Sequence, residues 1–360
     1  MMRLDILFNS KLLSYSLLLV LLTSSDYILY VNWMQRMKNY KWFAGSLVFP
    51  ISGFSFFIIP VLILKYWFRS PIIQTGLESQ KKFFIIGSLD SINSIIGSYA
   101  TPYISVLLMT ILDKTSLPMT MIASFFYLKR RYFVNHYLGA FLTLYGVLIS
   151  FIPEMLLNIP IKQTYWIIIY ICNLFPAIAS YCFKEKYLKQ TNINLWWMNA
   201  CISIWQILFG LITLPVIYAP LPSGDSVEFQ NTFLYFYRAY KCQFMGLNSL
   251  PSDNCQGAFW IFFFYQLIST FCNILMFYII KKESSVVYII INTLKMPITC
   301  WLGSYSYLVG SQSKSVNVAT LFSFVAISVG TIVYNWKNEL SFKNLNTPAN
   351  STPLLPTLEN

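Results

Sequence analysis

The chain has 360 residues, of which 56% are apolar and only 11% charged, against about 25% charged in an ordinary soluble domain. It carries 25 Lys and Arg against 13 Asp and Glu, a formal net charge of +12. Apolar runs of about 20 residues, the length that crosses a ~30 Å hydrocarbon core, recur throughout; a soluble globular domain is excluded, and the basic excess belongs at a membrane surface rather than on nucleic acid.

Ten spans are predicted, at 12–31, 43–64, 83–99, 104–128, 135–152, 164–183, 196–219, 257–280, 285–308 and 316–335. In the first, Arg3 and Lys11 precede "LLSYSLLLVLL", as in a cleaved signal peptide, but "TSSDYILYV" carries the helical run past any small-residue cleavage site and holds Asp26. Span 3 contains Asp90, with Asn93 and Ser94 one turn on. Pro102 in "ATPY" has no N–H and restricts the residue before it, so spans 3 and 4 meet at a tight turn.

Span 4 contains "MTILDKTSLPMT", which places Asp113, Lys114, Ser116 and Pro118 inside an apolar run. A charge at the bilayer centre costs at least ~2.5 to 3.5 kcal/mol on insertion scales, so each should face protein or water. Helical neighbours diverge by about 100°, so Asp113 and Lys114 do not face each other. Either they line a site, or Asp113 neutralises another basic residue as a buried structural pair. The fifth and seventh spans hold no charged residue. Span 8 carries Asn273, and span 9 repeats the features of span 4, with Lys295, Pro297 and Thr299 in "KMPIT". Pro118 and Pro297 would free the carbonyls of Lys114 and Thr293, giving a kink that can serve as a gate in each span.

Loop charge sets the orientation. With the N-terminus inside, 16 basic residues lie in inner segments, Lys184 among them, and seven in outer ones, although "NWMQRMKNYK" runs against the rule. Both termini are then cytosolic. Five of the seven cysteines lie in spans; Cys242 and Cys255 share the hydrophilic loop 220–256, on the outer side. In an oxidising lumen they would form a disulfide worth about 3 kcal/mol; the alternative is two free thiols. The sequon at Asn350 would be silent in a cytosolic tail.

"LPMT" at 117–120 aligns with "MPIT" at 296–299, an offset close to half the chain. The expected fold is therefore an all-α polytopic membrane protein of ten transmembrane helices in two inverted five-helix repeats, 1–152 and 153–335, followed by a tail at 336–360. Five spans per half is odd, so the second half enters from the opposite side.

Several stretches resemble the chloroquine-resistance-transporter family of the drug/metabolite transporter superfamily: "SLD" at 88–90, "SLP" at 116–118, "HYLGA" at 136–140, "NLWWMNA" at 194–200, "CQGAFW" at 255–260 and "YIIKKESSVVY" at 278–288. The resemblance implies a cavity between spans 1 to 4 and 6 to 9, an acidic residue at Asp90 on its wall, and a disulfide-braced loop facing the lumen of an acidic, lysosome-like vacuole. Two departures stand out. The family's loop carries two bridges where this one can form one, and the family has an acidic residue at Cys272 and neutral ones near Lys114 and Lys295. Organic cations are accordingly a poorer expectation here.

No HExxH, Cys-His pair or Ser-His-Asp set can be built around the single histidine, His136. The chain is expected to be no enzyme, to hold no cofactor or metal, and to work as a monomer in contact with lipid and a small-molecule substrate. The expected function is movement of amino acids, short peptides or drugs, which the resemblance implies to be proton-driven and to run from vacuole lumen to cytosol. A desolvated carboxylate can take and release a proton during such a cycle. The substrate-binding candidates are Asp26, Asp90, Asn93, Asp113, Lys114, Ser116, Asn273, Lys295 and Thr299. The alternatives are an organic-anion exchanger, in which Lys114 and Lys295 clamp the charge, and a non-transporting structural membrane protein.

Overall fold

The structure is a computed structural model that describes residues 10–67, 76–156, 161–191, 193–219, 227–310, 313 and 316–334. The tail with Asn350 and the loop segment 220–226 lie outside the described residues. Helices α1 (Ser10–Arg36), α2 (Phe49–Tyr66, preceded by a π-helical turn at Phe43–Val48), α3 (Leu77–Ala100), α4 (Val106–Leu112), α5 (Ser116–Leu128), α6 (Val134–Leu156), α7 (Ile161–Gln190) and α8 (Leu195–Ile212) follow in order. After them come α9 (Thr232–Tyr240), α10 (Ala258–Lys282), α11 (Ser285–Thr293), α12 (Met296–Gly303), the short α13 (Ser306–Val309) and α14 (Val318–Tyr334). Among the described residues there is no extended strand.

In hydrocarbon every backbone polar group must be satisfied within its own segment, which favours helix for each apolar run. Among the described residues, six helical segments are long and apolar enough to cross a membrane: Ser14–Arg36, Phe43–Tyr66, Val106–Leu128, Thr164–Gln190, Leu195–Ile212 and Ala258–Lys282. The pair α11 and α12, bent by 42°, makes a seventh if taken as one span. At the other three expected places stand α3, whose Ser88, Asp90, Ser91, Asn93, Ser94 and Ser98 dilute its apolar content, and the shorter apolar helices Val134–Ile149 and Val318–Tyr334.

The polar breaks in spans 4 and 9 differ from two mid-helix kinks. Asp113–Thr115 forms a 3-10 turn between α4 and α5, and Pro118 is the third residue of α5. Pro297 is the second residue of α12. Each proline thus sits in the first turn of a new helix, where a missing N–H leaves no bond unmade. The Lys114 carbonyl is not free either, because the Ser116 N–H reaches the carbonyls of Asp113 and Lys114.

Helices pack in a definite set of pairs: α6 on α14, α1 on α10, α3 on α7, α2 on α8, α3 on α8 and α2 on α10. The broken spans meet each other, α4 on α12 and α5 on α11, while α5 also packs on α7 and α1 on α11 and α12. At the α6–α14 crossing the two backbones touch. A Cβ on Gly139 would lie 2.6 Å from the Gly330 carbonyl oxygen, and one on Gly330 would lie 2.8 Å from that of Gly139. Without a hydrophobic force between helices in lipid, close approach through small residues supplies the contact.

The described residues of the 220–256 loop include α9 and a disulfide between Cys242 and Cys255. Buried Asp253 accepts from Asn39 Nδ2 (2.7 Å), the Tyr40 hydroxyl (3.0 Å) and the backbone N–H groups of Ser249 (3.0 Å) and Leu250 (2.8 Å). Those bonds fasten the loop to the turn between the first two spans. Next to the disulfide, Gln243 Oε1 accepts from Trp33 Nε1 at 2.8 Å, and Trp33 packs on Phe262 and Tyr265 with ring centroids 4.5 and 5.7 Å away. A polar loop and an aromatic plug therefore share one end of the helix bundle.

Candidate substrate cavity

A cavity of about 350 Å³ lies at the centre of the bundle. Its wall comes from α1, the Phe43–Tyr66 segment, α3, the start of α5, α7, α8, α10 and the α11–α12 break. No wall residue comes from α6 or α14. Asp26, Asp90, Asn93, Asp113, Ser116, Asn273 and Lys295 stand on this wall. Lys114 and Thr299 do not.

Lys114 is 2% exposed and sends its ammonium to the Asn292 carbonyl oxygen at 3.4 Å, across the seam between the two broken spans. Thr299 is fully buried and returns its hydroxyl to the carbonyls of Lys295 (3.1 Å) and Met296 (3.0 Å). Both hold the breaks together instead of facing the void. Ser116 does a similar job, donating to the Asp113 carbonyl, while remaining on the wall.

The three wall carboxylates have unequal surroundings. Asp90 is engaged by Lys184 Nζ at 2.8 Å from Oδ2 and 3.1 Å from Oδ1, and by the Ser180 hydroxyl at 2.5 Å. Lys184, predicted for the inner loop, is 4% exposed because α7 runs seven residues past the expected end at 183. Asp113 accepts from the Tyr170 hydroxyl at 2.8 Å, and Tyr170 in turn lies 3.4 Å from the Tyr27 hydroxyl. Asp113 makes no ion pair among the described residues, so the buried-pair reading is not how it is held.

Asp26 differs, since its Oδ1 has no partner among the described residues. Ser269 and Lys295 share the cavity wall with it. Lys295, 6% exposed, closes no ion pair among the described residues and lies over the Tyr27 ring, 4.7 Å from its centroid. Asn173 and Asn292, also on the wall, each hold an unpartnered Oδ1. A buried unsatisfied acceptor costs about 1 to 3 kcal/mol. Three of them on wall residues, one belonging to Asp26 itself, together with an amine in no ion pair among the described residues, is a concentration of unmet polarity at a cavity of small-molecule size.

A profile of the CRT-like, chloroquine-resistance transporter-like, family matches residues 12–334, nearly every span. The chain belongs to the CRT-like family. It is 26% identical over 358 residues to the protein named Crt homolog 1 of Dictyostelium discoideum, covering 90% of this chain and 73% of that one. A putative chloroquine resistance transporter of Plasmodium yoelii yoelii is 25% identical over 324 residues, covering 85% of this chain and 74% of its own length. The chloroquine resistance transporter of Toxoplasma gondii is 20% identical over 338 residues, 89% of this chain but 37% of that longer protein.

CRT-like proteins are transporters, not enzymes, and this CRT-like chain is an integral membrane protein built from apolar helices. Sequence reasoning passed over Lys184, Tyr170, Asn173 and Asn292. The ion pair between Asp90 and Lys184 spans 94 residues, which no local pattern reveals. Asn292, by contrast, sits three residues before Lys295 on a helical run and could have been found from that spacing.

Proposed function

We propose that this CRT-like transporter moves small zwitterionic solutes, amino acids or short peptides, from the lumen of an acidic vacuole or lysosome-like compartment to the cytosol, driven by protons. The observation that carries the substrate class is that Lys295, in no ion pair among the described residues, and half-open Asp26 stand on one cavity wall. A zwitterion supplies a partner to each without leaving a net charge in low dielectric. The organic-anion alternative is less favoured, since it needs both lysines in the cavity and the Lys114 ammonium is spent on a backbone carbonyl.

The architecture we propose is ten spans in two inverted halves. Most of the packing pairs support it: numbering the spans as α1, the Phe43–Tyr66 segment, α3, α4–α5, α6, α7, α8, α10, α11–α12 and α14, exchanging each span with the one five places away maps the pairs named above onto themselves, while α7 on α10 and α5 on α6 have no comparable counterpart. Span 1 on span 8 becomes span 6 on span 3, span 4 on span 6 becomes span 9 on span 1, and the pairs 2–7, 4–9 and 5–10 are unchanged. Alternating access would then be a rocking of these halves about the cavity between them. Cys242, Cys255 and α9 would lie in the lumen and both termini in the cytosol; protease protection with tags in the loop and at the C-terminus should place them on opposite sides, and tags on the same side contradict ten spans.

Uptake into proteoliposomes tests the substrate class. Labelled amino acids or dipeptides should enter faster when an inward proton gradient is imposed, and sugar phosphates should not. Proton-independent uptake of sugar phosphates in place of dipeptides would support the anion exchanger.

A further inference from the structure

Helix α9 is apolar on both faces. One face packs on the bundle: the Tyr235 ring lies 5.7 Å from that of Tyr40, and the Phe236 ring 5.9 Å from Trp42 and 6.1 Å from Phe43. The opposite stripe carries Phe233, Tyr237, Tyr240 and Phe244, the last on the π-helical turn Lys241–Met245 that continues the helix. Intervals of three and four residues set them in one line, and all four are exposed, Phe233 at 83%. A helix whose outer side met water would carry polar residues there. The path of α9 shows what that side meets. At one end the Phe229 ring lies 5.7 Å from that of Tyr218, in the turn that follows α8, and the Tyr218 and Thr232 hydroxyls are 2.9 Å apart. In the middle α9 crosses Trp42 and Phe43, where the Phe43–Tyr66 span begins. At the other end Phe244 lies 6.3 Å from Phe259, the second residue of α10. The helix thus touches the ends of three spans at one level of the membrane and runs along its plane. At both ends the stripe continues into outward apolar faces of spans: Leu208, Leu211 and Ile212 are exposed on α8, and Trp260 and Phe263 on α10, 5.3 and 6.4 Å from Phe259.

We propose that α9 is an interfacial anchor, with the ridge from Phe229 to Phe244 seated among the headgroups and first acyl carbons of the phospholipid leaflet at this end of the bundle. Amphipathic aromatic rings are the side chains that settle at that depth. The stretch 229–247 contains no Asp or Glu, while Arg238 and Lys241 offer positive charge to lipid phosphates. The Lys241 ammonium lies 4.5 Å from the centroid of the Tyr237 ring. Its stem therefore runs along a ridge residue, and its head is free to reach the headgroup layer. A second copy laid on the same ridge would bring these like charges together, which disfavours it as the occupant. The inner side of the same stretch holds Cys242, bridged to Cys255, and the Gln243 that accepts from Trp33. A seated ridge accordingly holds the loop and the aromatic plug at a fixed depth, whichever solute is carried.

The test uses the full chain in nanodiscs of phosphatidylcholine and phosphatidylglycerol, with Cys172→Ser removing the exposed free cysteine. A nitroxide is attached at Phe233→Cys or Tyr237→Cys, with Phe263→Cys on the outer face of α10 as the lipid reference and Ser252→Cys in the exposed polar loop as the water reference. Power saturation compares collisions with oxygen, which concentrates in lipid, and with a water-soluble nickel chelate. Nickel accessibility at 233 and 237 should match that at 263 and be at most about a tenth of that at 252, because seating one phenyl side chain favours the buried state about tenfold or more. Phe229→Ser combined with Phe233→Ser should raise nickel accessibility at a label on 237 about tenfold by the same measure. Nickel accessibility at 233 and 237 equal to that at 252 overturns the anchor and leaves the ridge to water or a soluble partner. Exclusion of both relaxants, with dipolar broadening between labels, assigns the ridge to a second copy and overturns it equally, as does an unchanged label at 237 in the double serine variant.

Discussion

Lys295→Gln should lower uptake of carboxylate-bearing solutes roughly tenfold to a hundredfold, the size of a lost charge-assisted hydrogen bond of about 1.5 to 3 kcal/mol. Expression should stay near normal, because Lys295 closes no ion pair among the described residues whose loss would strand a buried partner. Glutamine keeps the length and a donor while removing the charge. Lys114→Gln should behave differently, although the sequence makes the two lysines look equivalent. Its donor lies against the Asn292 carbonyl, away from the wall, and a glutamine amide can take over that bond. Carboxylate uptake in Lys114→Gln should therefore remain within about twofold of wild type. Initial uptake rates of a labelled dipeptide in the two variants, at equal reconstituted protein, check the contrast; equal losses would mean that Lys114 reaches the solute after all.

Gly330→Val should abolish most of the folded protein. The added Cβ alone would meet the Gly139 oxygen and the Thr143 hydroxyl at 2.8 Å and the Thr143 backbone nitrogen at 2.9 Å, two of which are backbone that cannot turn aside. The helices would have to separate, and Gly146 against the Ser323 carbonyl and Ile327, farther along the same crossing, would lose its fit as well. Overpacking commonly costs 1 to 3 kcal/mol, and a backbone-to-backbone contact belongs at about 3 kcal/mol or more. The monodisperse fraction in detergent and the unfolding temperature measure it. A valine variant with wild-type yield and unfolding temperature would show that α6 and α14 do not cross as described. Since neither helix contributes to the cavity wall, any Gly330→Val protein that does fold should keep its selectivity among solutes.

How much of this was legible in the sequence depends on the range of the signal. The all-helical architecture, the loop disulfide and seven of the nine proposed site residues on one wall follow from local patterns: apolar run length, isolated polar residues within spans, and two cysteines in one loop. Lys114 and Thr299 stand off the wall because a polar residue in a span must face protein or water, and for these two the satisfying group is backbone in the neighbouring turn or the facing span. Periodicity suggests mid-helix kinks at the prolines, since it does not show that Asp113–Thr115 tightens to a 3-10 turn, which makes Pro118 a first-turn residue. Hydropathy puts Lys184 in a loop because it ends a span at its first charges, "KEK", while Asp90 on α3 and the Ser285 N–H and hydroxyl, which both donate to Glu185, stabilise those charges in place. Partners nearly 100 residues away are tertiary information.

If a zwitterionic solute crosses through this cavity by alternating access, as proposed, counterflow should show it. Proteoliposomes preloaded with unlabelled dipeptide should take up external labelled dipeptide faster than empty ones, because a loaded carrier returns through the same cavity that it must otherwise reset unloaded. Preloading with the N-acetylated, C-amidated dipeptide, which has neither charge, should give no acceleration. Labelled uptake that is the same in preloaded and empty vesicles, or that the uncharged analogue accelerates equally, would contradict the account.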